Sequence, residues 1–215
     1  MNENDLKESL NKKQRYFKLR LKTTWEVYVR AEKEFEGALQ KLIDNIYGRE
    51  LYGNSKKVIK ARKKLEKWYP EVLREAILVM YCSLFEDILR DITKMCAPNY
   101  EDEITKRRGS WLTKHLSILK SVEMINVDKD DVKFLQHFIE LRNCVTHGGG
   151  NINRIRNERK VETAIFELQR YGRAHNFDML GEWQDGYLQL GEQFLSEVHI
   201  KGENILDEIF KDLQE

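Results

Sequence analysis

The chain is 215 residues long, 41% hydrophobic and 34% charged, with a formal net charge of +1. That composition suits one domain of moderate size, and so few prolines in so charged a chain point to helices rather than disorder. No apolar run is long enough to span a bilayer and the N-terminus is polar rather than signal-like, so a cytoplasmic protein with no membrane partner is expected.

In chain order, residues 1–47 carry Leu10, Phe17, Leu21, Trp25, Tyr28, Phe35, Leu39, Leu42 and Ile46 at spacings of three, four or seven. This predicts one long helix or two nearly collinear ones. Its basic stretch, Lys12 to Lys22, reads first as a solvated face and only second as a nucleic-acid contact. A loop is predicted from Gly48 to Ser55, and residues 56–67 hold seven cations against Glu66 alone. Trp68 and Tyr69 follow, so the run fits either a phosphate-tracking surface with aromatic stacking or an ordinary charged helix. Pro70 suits the first turn of a new helix, and Leu73, Ile77, Met80, Leu84, Ile88, Ile92 and Met95 make residues 72–96 the second core helix. Asn99 to Gly109 reads as a connecting loop, and Ser110 as the cap of a short helix on which His115 is expected to be exposed.

Residues 128–147 form the clearest helix. Asp128 can cap it, apolar residues recur at Val132, Leu135, Phe138, Ile139, Leu141 and Val145, and Gly148 to Gly150 can end it. Arg142 falls in the middle of the apolar arc, with Asn143, Thr146 and His147 toward one edge. Taken singly, Arg142 reads as a snorkelling or carboxylate-paired cation and His147 as a favourable charge at the helix end. Together they supply a guanidinium that can hold a phosphate and an imidazole that can move a proton near neutral pH.

Beyond that helix, Gly148 to Asn153 reads as a flexible loop, and Arg154, Arg156, Arg159 and Lys160 begin a helix ending near Tyr171. A small β-hairpin is predicted near residues 181–190, turning at Asp185-Gly186. A last helix runs from about Glu192 to Leu213, with an interruption expected at Gly202. From Asn176 onward ten acids meet two Lys, so the chain is electrically polar along its length. Cys82, Cys96 and Cys144 lack ligand spacing and read as reduced thiols, with no metal site expected. Walker, GxGxxG, HExxH and GxSxG patterns are absent.

The stretch Leu141-Arg142-Asn143-Cys144-Val145-Thr146-His147-Gly148 resembles the signature of the HEPN superfamily (higher eukaryotes and prokaryotes nucleotide-binding). There an Arg, often followed by a polar residue, precedes a His at the end of a core helix. Two further pairs share the spacing, Arg108 with His115 and Arg170 with His175. Only Arg142 and His147 lie on a strong amphipathic helix with Asn directly after the Arg and a Gly run after the His. The run Tyr81 to Leu89 is similar to the helix that pairs with the motif helix in such domains. Glu86 on it reads as the partner of Arg142, the alternative being a catalytic carboxylate.

The resemblance implies an all-α helical bundle of HEPN type over residues 1–215, with residues 1–55 as a long N-terminal arm and residues 56–215 as the core. It implies a homodimer whose two motifs meet in one composite site, acting as an endoribonuclease without metal or cofactor. Arg142, His147 and Asn143 would be catalytic, and Arg154, Arg156, Arg159 and Lys160 would gather RNA. A role in toxin–antitoxin or antiviral defence follows, with an antitoxin or regulatory protein as a further partner. The competing expectation is a non-catalytic helical RNA-binding or protein-interaction module.

Overall fold

The computed structural model describes residues 3–49, 56–122, 125–175 and 186–213. It is all-helical among those residues: α1 (Glu3–Arg49), α2 (Lys56–Cys96), α3 (Tyr100–Lys106), α4 (Trp111–Ser121), α5 (Lys129–Gly148), a 3-10 turn at Ile152–Arg154, α6 (Glu158–Ala174) and α7 (Glu192–Asp212). No described helix is long and apolar enough to cross a membrane.

The N-terminal periodicity resolves as one helix. Leu10, Phe17, Leu21 and Tyr28 are buried at spacings of seven, four and seven, a seam that lets α1 lie along α2 and α7. Its basic stretch is largely tied up in ion pairs, Lys12 with Glu8, Lys13 with Asp91 on α2 and Lys18 with Asp207 on α7 at 2.6 Å. The acidic end of the sequence thus folds back onto its basic beginning.

Three expectations about boundaries are corrected. Pro70 does not start a helix but lies inside α2. One missing N–H costs about 3 kcal/mol, and the stretch that follows is held by burial of Ile77, Leu78, Tyr81, Phe85, Ile88 and Ile92. The supposed loop at 99–109 contains α3, whose first turn is acidic, as the helix dipole favours. Tyr100 anchors it by burial and by a 3.1 Å hydrogen bond to His115. Helix α7 passes unbroken through Gly202, because a hydrogen at that position is what allows close contact with Phe85: an added Cβ would sit 2.1 Å from the ring.

One main core collects buried side chains from α1, α2, α4, α5, α6 and α7. The predicted hairpin falls largely on residues 181–185, outside the described residues. In its described remainder Tyr187 forms an isolated antiparallel bridge to Asn151.

Candidate functional site

Helix α5 is built as its sequence dictates. Asp128 Oδ1 accepts the backbone N–H groups of Asp130 and Asp131 at 2.8 and 3.1 Å, satisfying two donors the first turn would otherwise leave open. Phe134, Leu135, Phe138, Ile139, Leu141 and Cys144 are buried. At the other end Gly149 is left-handed with φ of 58°. It donates to Val145 O at 3.1 Å, and Gly150 donates to Cys144 O at 3.3 Å, so the last carbonyls are capped.

Arg142 is half-buried, and its Nη1 donates to Asn143 Oδ1 at 3.2 Å. Its Nε is buried without an acceptor, and no carboxylate pairs with it among the described residues. Thr146 Oγ1 donates to the Arg142 carbonyl. Five residues on, about 140° around the helix, His147 is exposed. Arg142 points toward α2, where its charge and that of Glu86 act in opposite directions on the buried Cys82 thiol, whose pKa burial drives far up.

The expected partnership of Arg142 with Glu86 is not what the structure holds. Glu86 instead accepts from Arg90 at 2.9 Å, because the two stand four apart on the same helix face and need no tertiary alignment to meet.

The segment after His147 is clamped rather than loose. Ile152 donates to Gly186 O at 2.9 Å and Leu188 donates to Gly150 O at 2.8 Å, while Asn151 Oδ1 accepts from Asn153 N at 3.0 Å. Gly150 has φ of 74°, and a Cβ there would sit 2.5 Å from Glu75 Oε1. Glu75 is a neighbour that the sequence did not reveal. Burial, then the nearby Glu71, raise its pKa, and the only sequence signal was two acids four apart on α2. Arg154, Arg156, Arg159 and Lys160 are all exposed, and none is paired with an acid among the described residues.

No protein-family model, curated protein or solved structure matches this chain. Side-chain geometry separates the three Arg/His pairs. His115, expected to be exposed, is 3% exposed. Its Nδ1 bonds the Trp111 carbonyl at 2.6 Å and its Nε2 the Tyr100 hydroxyl at 3.1 Å, so it is part of the scaffold. Arg170 is bound to Glu167 at 2.8 Å, and His175 stacks on Tyr171 with ring centroids 4.0 Å apart. Arg142 and His147 alone combine a guanidinium lacking a carboxylate partner with a solvent-facing imidazole.

The cysteines offer no competing chemistry. All three are free and buried, and burial pushes the Cys96 thiol up to about 11 and, with Glu75, the Cys144 thiol to about 12, far from a reactive thiolate. No group of acids, His and Cys that could hold a metal occurs among the described residues.

Proposed function

We propose that this protein is a HEPN-type, metal-independent endoribonuclease that works as a homodimer. The observation that carries the reading is the state of Arg142, half-buried, bonded to Asn143 and without a carboxylate, five residues before the exposed His147. A guanidinium held in place but not neutralised retains donors for a phosphate.

His147 takes the proton of a ribose 2′-OH as its oxygen attacks the adjacent phosphorus. The P–O5′ bond breaks, and the departing oxygen is protonated by a second acid, leaving 2′,3′-cyclic phosphate and 5′-hydroxyl ends. Arg142 binds the phosphate and the charge that grows on it. Asn143 orients Arg142 through the hydrogen bond at 3.2 Å. Because Arg142 and His147 diverge around α5, one protomer presents one base and no second acid, and a second copy supplies both the missing imidazole and the facing guanidinium. Arg154, Arg156, Arg159 and Lys160 gather RNA beside the site. Activity of this kind suits a defence or toxin system restrained by a partner protein.

One observation favours the non-catalytic alternative: neither cleft along α5 and α6 includes Arg142 or His147, as a simple RNA-binding or interaction module would allow. The deciding experiment is cleavage of mixed RNA by wild type, Arg142→Ala and His147→Ala in excess EDTA, with end-group analysis and sedimentation. Cutting by the wild-type dimer alone, with cyclic phosphate ends, supports the nuclease. A folded wild type that cuts nothing, or equal cutting by all three, removes it.

A further inference from the structure

Helices α5 and α6 run antiparallel, so that Lys133 faces Arg170 and Tyr171 at one end of their seam while Gln136 and Glu140 face Arg159 and Lys160 at the other. Two clefts of about 470 and 560 Å³ lie along this seam. His137 lines both, so the two clefts adjoin along the seam, together called the α5–α6 groove.

The charges in this groove are spaced and do not converge. Lys133, Arg159 and Lys160 are exposed and unpaired with acids among the described residues. Arg154 continues the trail toward the motif, its Cβ lying 3.9 Å from where a Gly148 Cβ would stand. A rise of about 1.5 Å per residue puts Lys133 about 21 Å from His147 along α5. Cations strung over that length suit a polyanion and not a single small phosphate. At the far end the Tyr171 and His175 rings stack at 25°, with the Lys201 ammonium 5.2 Å from the Tyr171 ring centre. Carboxylates of Asp130, Glu140 and Glu167 also line the groove, so its positive charge is confined to a few positions, and the aromatic pair at the far end suits an unpaired base, which a single strand offers and a duplex does not.

We infer that the α5–α6 groove binds a single strand of RNA leading away from the motif end of α5, with phosphates on Lys133, Arg159 and Lys160 and a base against the Tyr171–His175 pair. RNA as the ligand rests on the proposed ribonuclease activity, for which the groove would hold the strand beyond the motif, since neither cleft includes Arg142 or His147.

The test uses full-length His147→Ala protein, which spares the probe, and a labelled single-stranded RNA of about 20 nucleotides, long enough to exceed a typical single-strand site. Anisotropy titrations over a range of KCl compare it with the same protein carrying Lys133→Glu, Arg159→Glu and Lys160→Glu. A control carries Arg15→Glu, Arg20→Glu and Lys22→Glu, an equal charge change at exposed positions of α1. The groove variant should bind about tenfold more weakly or worse. The slope of log affinity against log salt should flatten by about 0.7 for each phosphate that is no longer neutralised, and the control should bind as the parent does. Unchanged binding by the groove variant, equal weakening in the control, or no RNA binding by the parent overturns the inference. Cleavage is scored separately: a wild type that binds through the groove and cuts nothing ends the ribonuclease reading and leaves the groove standing.

Discussion

Arg142 donates from Nη1 to the side-chain oxygen of its immediate neighbour Asn143 at 3.2 Å, and its Nε is buried without any acceptor. A buried donor left open costs about 1–3 kcal/mol, so the Nη1 bond to Asn143 is the one side-chain contact seen to hold this guanidinium among the described residues.

Removal of Asn143 frees the guanidinium without removing it. A hydrogen bond to a charged group is worth about 1.5–3 kcal/mol, so Asn143→Ala should lower kcat by about ten- to a hundredfold. Arg142→Ala should cost more, about 10²–10³-fold, as loss of a transition-state charge stabiliser does. Steady-state cleavage of one labelled RNA orders the two variants, and an Asn143→Ala enzyme as active as wild type would remove the orienting role.

The metal-independent mechanism proposed above predicts indifference to chelation. Cleavage rates should be the same in excess EDTA and in added magnesium, apart from the salt effect that any RNA-binding protein shows. Rates measured at matched ionic strength check this, and abolition by EDTA would require a different mechanism.

The end of α5 depends on Gly150, whose φ is 74° and whose missing Cβ leaves room for the Glu75 carboxylate. Gly150→Ala combines left-handed strain with a clash against a half-buried acid and should destabilise by about 1–3 kcal/mol. Gly150→Ala with Glu75→Ala relieves the clash but keeps the strain, so it should recover part of the stability. Urea unfolding of both gives the two contributions, and no recovery would mean that the backbone alone decides.

Gly202 makes the matching point for α7. Gly202→Ala drives a methyl group into the Phe85 ring and should cost about 1–3 kcal/mol through overpacking. Pairing it with Phe85→Leu, which withdraws the ring, should restore much of the stability of the Phe85→Leu single variant. Thermal melts of the four proteins form the cycle.

Stability should fall on mild acidification. His199 stacks on Trp25 at 5.1 Å and meets the Tyr81 hydroxyl at 3.0 Å; burial lowers its pKa, with Glu203 working against that. Burial also lowers the pKa of His115. Because the folded chain resists protons that the unfolded chain accepts near 6.5, this stability is complete above that pH and is lost as pH drops below it. Glu75, raised by burial, acts in the opposite sense at lower pH. The urea midpoint should therefore decline from about pH 7.5 to 5.5, and His199→Asn should decline less. Equal declines would place the titration elsewhere.

The features legible in the sequence are those that neighbours along the chain decide. The Asp128 and Ser110 caps, the apolar stripe of α5, the glycine stop after His147 and the placement of Arg142, Asn143 and His147 at that stop all follow from interactions within a few residues, where helical periodicity is a direct guide. The all-helical class follows from the same patterning. Tertiary packing decided the rest. His115 is buried because α3, itself unread in the sequence, brings Tyr100 to its ring. The segment from Gly148 to Asn153 is held because residues 186–188 return to pair with it. Lys133 faces the Arg170 end of α6 only because α6 doubles back along α5. Each is a meeting of groups that chain spacing does not encode, since which faces end up touching depends on how all the helices bury their apolar surface together.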